Sequence, residues 1–321
     1  MTVGIGLAFG IGEDDTTFGN PGSIVTWVRG KDSSLRVRQE YTKRAELATA
    51  GGSPIRSNKF LSSQSVQGTI VFLMSLEGLG LLFKHTLWGT PVTTGTNPYN
   101  HRYFAGLEAP ALGLTIAVNR GNGSRELFSG LRISRAQFRW QTGSLMEVTL
   151  DLIGTTAAAR DALGTPSYTA NQVVIRPATA LTGQLLGLPS SQFQNSTRSL
   201  TITVDNKLAP RQRLGSAITK DPGVLTDFVD VMADIEIDHR NDNIYNAYLA
   251  GTEDDAVFLF TEGSRSLQFT LHNAYATDHN GAPINGPGEV GEGFQLHGQS
   301  GGSNSGFEML IVNTQDSAIA A

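Results

Sequence analysis

The densest run of side chains able to do chemistry lies between residues 227 and 255, where nine carboxylates face a single cation in sequence, Arg240. Paired carboxylates can act as general acid and base, or bind calcium. The stretch Asp238-His239-Arg240-Asn241-Asp242, however, lacks the glycine and the closing glutamate of a calcium loop. Side chains alternate along a strand, so Asp234, Glu236 and Asp238 share one face and Ile235 and Ile237 the other. Read alone, that alternation is a solvated strand face backed by a core.

The remaining candidates carry no reaction. His85, His101, His239, His272, His279 and His297 never fall into HExxH or another metal spacing, and His272 and His279 read as surface or hairpin residues. Of Gly4-Ile5-Gly6 and Gly78-Leu79-Gly80, neither follows a strand and opens a helix with the third glycine in place, as nucleotide-binding glycines do, so both read as turn and packing glycines. No G-x-S-x-G elbow occurs, and Gly123-Ser124 and Gly143-Ser144 have no base nearby in sequence. The chain has no cysteine, which excludes disulfides, thiolate nucleophiles and Cys-ligated zinc. The expectation is therefore no catalytic, cofactor or metal site.

The 321 residues suffice for two ordinary domains or one large β domain. With 37 glycines the chain should turn often and hold few long helices. A net charge of -5, with the 24 Lys and Arg scattered, argues against tight nucleic-acid binding. The N-terminus lacks a basic leader, and no run approaches the ~20 apolar residues of a membrane span, so a soluble, unexported protein is expected.

Alternating apolar and polar residues predict strands at 35–38, 68–74, 114–119, 133–140, 145–153, 199–205, 232–239, 256–260 and 266–272. Helical spacing occurs twice, at 76–87 and 243–249. Each predicted helix follows a strand and meets a glycine, Gly89 or Gly251, as a left-handed C-cap requires. Val66 and Val231 stand 165 residues apart in these matching contexts, and Gly89 and Gly251 stand 162 apart. Such repetition implies a duplicated domain, with a boundary near residue 165 that divides the chain into 1–165 and 166–321. The segments 41–65 and 207–230 are too long for ordinary connections and read as arms.

Four stretches carry a resemblance: Glu13-Asp14-Asp15-Thr16-Thr17-Phe18-Gly19-Asn20-Pro21, residues 79–90, Ser199-Leu200-Thr201-Ile202-Thr203-Val204-Asp205-Asn206, and residues 273–289 with Gly281-Ala282-Pro283 and Gly286-Pro287-Gly288-Glu289. In these the chain resembles the tail tube proteins of long-tailed bacteriophages, in particular those with two tandem tube domains. The resemblance implies a mainly β fold of two tandem β-sandwich domains, each with a short flanking helix and a long loop or hairpin arm. It also implies a structural virion protein of the tail, without enzymatic activity or cofactor, assembled in the bacterial cytoplasm. Its partners would be itself, in stacked rings of three chains with pseudo-sixfold symmetry, together with tail tip, tape measure and terminator proteins. DNA would pass through the lumen without specific binding. Under that reading Asp234, Glu236 and Asp238 face the lumen, and Pro210, Arg211, Arg213, Lys220, Asp221 and Pro222 belong to an arm that reaches the adjacent ring. The alternatives are another tube or capsid component, or a carbohydrate-binding β-sandwich. The last would expose clustered aromatics, whereas Trp27, Trp88 and Trp140 lie in contexts that suggest burial.

Overall fold

A computed structural model describes residues 6–43, 59–106, 108–121, 125–158, 166–168, 174–176, 180–186, 193, 196–211, 221–225, 229–239, 242–280, 291–300 and 305–317. Strands dominate. In the first half they are β1 (Ala8–Glu13), β2 (Thr26–Ser33), β3 (Arg36–Lys43), β4 (Lys59–Leu73), β5 (Val92–Thr94), β6 (Tyr99–Phe104), β7 (Leu114–Asn119), β8 (Arg125–Gln141), β9 (Glu147–Gly154) and β10 (Thr156–Ala158). The second half supplies β11 (Ala180–Gln184), β12 (Thr197–Asp205), β13 (Leu208–Arg211), β14 (Asp221–Leu225), β15 (Asp230–Asp238), β16 (Asp254–Glu262), β17 (Arg265–His279), β18 (Gly291–His297) and β19 (Phe307–Asn313). Two helices of eight residues, α1 (Gly80–Leu87) and α2 (Asn243–Ala250), follow β4 and β15.

The pairings resolve into an inner sheet and two outer ones. The inner sheet has eight strand positions in the order β3, β4, β9, β8, β12, β15, β18, β17, and the end of β2 extends the β3 position. One outer sheet runs β2, β1, β7, β8, β10. The other runs β11, β16, β17, β19, β6, β5. The strands β8 and β17 are long because each begins in an outer sheet and ends in the inner one. Each bends at a β-bulge, between Ile133 and Arg135 in β8 and between Ala276 and Asp278 in β17.

These bulges bring the two halves into register. With Arg135 set on Asp278, the neighbouring ladders put Asp151 of β9 on Gln295 of β18, and Thr69 of β4 on Asp234 of β15. That last spacing is the same 165 residues that separate Val66 from Val231. The edge strands agree as well: Arg36 opposite Gln67 matches Thr203 opposite Met232. A second bulge, between Gly30 and Asp32 in β2, falls on one between Thr197 and Ser199 in β12.

Burial follows the pleat. In β9 Val148, Leu150 and Leu152 are buried and alternate with Glu147, Thr149 and Asp151. The core is contiguous across both halves, with Phe138 of β8 5.1 Å from Phe269 of β17 and Trp140 of β8 5.8 Å from Phe260 of β16. Trp27, Trp88 and Trp140 are all buried. The expected boundary near residue 165 lies outside the described residues.

Three local expectations need correction. The first helix starts at Gly80 rather than near Leu76, because residues 75–78 form a bridge and a bend in which the Glu77 N–H donates to Ser75 Oγ. Its left-handed cap is Trp88, with φ 66°, whereas Gly251 caps α2 at φ 60° as expected. Gly89 is needed for a different reason: a Cβ there would come within 2.2 Å of the Phe104 carbonyl oxygen. Finally, the two ends of 41–65 are ladder rather than free loop, since β3 pairs with β4 out to Lys43 opposite Lys59, while 44–58 lie outside the described residues.

Candidate functional site

The seam between the halves is a β ladder. In it β8 and β12 pair antiparallel from Gln141 opposite Ser199 to Arg135 opposite Asp205. Buried Asn206 closes its end: its backbone N–H donates to the Ser134 carbonyl (2.8 Å), and its side-chain amide donates to the carbonyls of Ile133 (2.9 Å) and Thr86 (3.1 Å). The inner sheet thereby crosses the seam unbroken, and the last turn of α1 is tied to the second half.

The two ends of the same sheet are open. Residues 275 to 278 of β17 pair with β18 on one side and, among the described residues, with no strand on the other. The matching residues of β8 hold β12 in that position. At the far end, residues 36 to 39 of β3 pair, among the described residues, with β4 alone, and Arg36, Arg38, Gln39, Thr277 and Asp278 are all exposed. Six large hydrophobic residues are exposed among those described; Tyr41, at 45%, is on β3, and Tyr245 (43%) and Leu249 (63%) are on α2. Superposing the helix caps puts Tyr245 on Leu82 and Leu249 on Thr86, both 1% exposed in α1. Among the described residues, what covers α1 has no counterpart over α2.

The face of the inner sheet turned away from the core carries the acidic alternation. Ile235 and Ile237 are buried, Asp234 and Glu236 exposed, and Asp238 half-buried, so the expected split of the two faces is observed. Asp234 accepts from Gln295 Nε2 at 2.7 Å, Glu236 from Ser199 Oγ at 3.4 Å, and Asp238 is ion-paired with Arg198. The matching first-half positions are Thr69, Val71 and Leu73. Sequence neighbours alone missed the cations of the adjoining strands: on β8, Arg139 stands opposite Glu147 and Arg135 opposite Asp151 and Asp205. The face is therefore mixed, with its carboxylates concentrated on β15.

Of the expected arm residues, Arg211 of β13 stands opposite Asp221 of β14, which makes this segment a two-stranded hairpin. Pro210 occupies a register shift between Ala209 and Arg211, where a residue without an N–H is tolerated. Pro222 is also in β14, while Arg213 and Lys220 lie outside the described residues.

Buried charges elsewhere are clamps rather than reagents. Asp14, 3% exposed, accepts from the backbone N–H of Gly19 (2.7 Å), Gly113 (3.2 Å) and Gly130, and from Thr115 Oγ1 (2.8 Å). Its carboxylate thus gathers the chain after β1, the start of β7 and the bend of β8. Beside it, Glu13 Oε1 accepts from Lys84 Nζ (2.8 Å) and lies 3.1 Å from His85 Nε2. The His85 hydrogen bond, with Lys84 in support and against partial burial, lowers the Glu13 carboxyl from 4.5 to about 2. Burial pushes the His85 imidazole below its ordinary 6.5. Glu77 is bound by Arg265 (2.9 Å) and Thr314 Oγ1 (2.8 Å), joining α1 to the second half. His279 is a hairpin residue, at the end of β17 opposite Phe294 of β18; its side chain is 5% exposed and pairs with Glu292, which also meets His239 at 2.9 Å. Among the described residues no group of three or more His, Asp or Glu could hold a metal ion.

Among the described residues the molecule thus offers a mixed-charge sheet face, two sheet ends without a partner strand and a two-stranded hairpin beside β8 and β9. A family model described as phage tail tube protein matches residues 5–298, nearly the whole chain. No curated protein matches it.

Proposed function

The chain belongs to the phage tail tube protein family, structural components of the virion tail, and we propose that it builds that tube by closing its inner sheet with copies of itself into stacked rings. The observation that carries this reading is the inner sheet with both ends open. Exposed edges recruit further strands unless blocked, and closure into a barrel removes them. A heterologous contact between opposite ends generates a ring.

Size selects the number of chains. Eight strand positions per chain give 24 for three copies; at about 4.8 Å spacing and about 40° tilt the backbone barrel is about 50 Å across. Lined by side chains, such a lumen admits one DNA duplex, whereas six copies would make it about twice as wide. Three chains of two matching halves, each half one tube domain, supply six repeats of one seam. The face bearing Asp234, Glu236 and Asp238 then lines the lumen, where fixed negative charge keeps DNA from adhering as it is delivered to the host. The β13–β14 hairpin, from Pro210 and Arg211 through Arg213 and Lys220 to Asp221 and Pro222, serves as the arm to the next ring. Tail tip, tape measure and terminator proteins cap and fill the tube, and assembly takes place in the host cytoplasm.

Electron microscopy of the purified chain tests this reading. Hollow rods are expected; discrete particles at all concentrations would overturn it. Deletion of residues 210–222 should leave a folded β protein that forms rings but no long rods.

A further inference from the structure

We infer that ring closure copies the internal seam: β17 of one chain pairs with β3 of the next in the register of β8 with β12, which sets Arg38 opposite Asp278. This rests on the tube reading above and goes beyond it by naming the contact.

The register follows from correspondences already in the fold. Matched bulges equate Arg135, Ala136 and Gln137 of β8 with Asp278, His279 and Asn280 at the end of β17. Matched ladders equate Thr203, Val204 and Asp205 of β12 with Arg36, Val37 and Arg38 of β3. Inside the chain, Asp205 faces Arg135, Val204 faces Ala136 and Thr203 faces Gln137. Carried to the open ends, these pairs become Arg38 with Asp278, Val37 with His279 and Arg36 with Asn280. The charges have exchanged strands while their opposition is kept, and opposite charges facing each other across a ladder attract.

Independent features of the surface agree. Arg38 and Asp278 are exposed and have no ion-pair partner among the described residues. Gln39 takes the position of Asn206, which inside the chain bonds to the Thr86 carbonyl at the end of α1. On the next copy the matching carbonyl is that of Leu249, on the helix whose apolar side chains are exposed. Tyr41 likewise takes the place of Leu208, which is only 7% exposed at the internal seam. Two β3 edges paired about Val37 would set Arg36 against Arg38, a like-charge opposition that pairing with β17 avoids, and a heterologous contact of this kind is what a ring needs.

Charge exchange in the full-length chain tests the register. Arg38→Asp and Asp278→Arg should each raise the protein concentration needed for rods at least tenfold, with circular dichroism of the monomer unchanged. The double exchange should return that concentration to within about threefold of the parent. Single variants that assemble like the parent, or a double variant no better than the singles, would overturn the register while parent rods leave the tube reading standing. Parent protein that forms no rods would overturn both. Because the chain has no cysteine, paired cysteines give a second reading. Oxidised rods of Arg38→Cys with Asp278→Cys should yield covalent multimers, and those of Arg36→Cys with Asp278→Cys should not; the reverse outcome would set a different register.

Discussion

The strands β8 and β17 follow the same course, from an outer sheet through a bulge into the inner sheet, yet their surroundings differ. Beyond its bulge β8 is flanked by β9 and β12, with Ala136, Phe138 and Trp140 buried; the matching part of β17 has β18 on one side and, among the described residues, no strand on the other. Each helix repeats the difference, since α1 buries seven of its eight residues and α2 only Ile244. One backbone plan thus occurs in a satisfied and an unsatisfied form. The satisfied form is a template for what the other awaits, and substitutions at matching positions should affect folding at one and assembly at the other.

The largest contrast is at the strands. Phe138→Ala empties a core position 2% exposed, beneath the internal seam, and should cost about 3–5 kcal/mol in chemical denaturation. Asp278→Ala, on the open end, should change monomer stability by less than about 0.5 kcal/mol and act on rod formation. Equal destabilisation by both would break the comparison. A step smaller, Leu82→Ala in α1 should cost about 2–4 kcal/mol. Its counterpart Tyr245→Ser in α2 should leave the melting temperature of the monomer unchanged and weaken assembly, as read by sedimentation.

Acid separates the helices further. Glu13, held at about 2 against an ordinary 4.5, contributes stability that is complete above pH 4.5 and is lost as pH falls toward 2. His85, pushed below 6.5 by burial, binds its proton less readily in the fold than in the unfolded chain, so stability also falls as pH drops below 6.5. After solvent screening the Glu13 part amounts to about 1–2 kcal/mol. The matching α2 positions are Ala247 and Tyr248, which have no such pair. Glu13→Gln should therefore flatten the stability profile between pH 5 and 2, measured by urea denaturation across that range; an unchanged slope would remove the clamp from the account. The smallest effect on folding belongs to the inner face. Replacing Asp234, Glu236 and Asp238 by Lys should shift monomer stability by about 1 kcal/mol or less and preserve ring formation. Assembled tubes should then retain DNA, most strongly at low salt; equal retention by the parent would sink the lumen role of these residues.

Much of this plan was legible in sequence. The alternation of Ile235 and Ile237 with Asp234, Glu236 and Asp238 fixes which side is core, because a strand has only two faces. The Val66 and Val231 spacing survives because β4 from Val66 to Leu73 and β15 from Met232 to Asp238 pair with the equivalent strands β9 and β18. Helix ends were harder: a left-handed Trp88 breaks the glycine rule, held there by burial and by its N–H bond to the Lys84 carbonyl. Least legible were the long-range partners. Nothing local marks Arg135 as the neighbour of Asp205 or Asn206 as the cap of α1, since each contact joins elements distant in sequence.

A three-dimensional reconstruction of assembled rods tests the central claim, that the internal seam recurs between chains. The account predicts three chains per ring, an unbroken 24-stranded inner barrel, and Arg38 of each copy beside Asp278 of the next, in the same register as Asp205 and Arg135. Six chains per ring, or open ends of the inner sheet left unpaired in the finished tube, would contradict it.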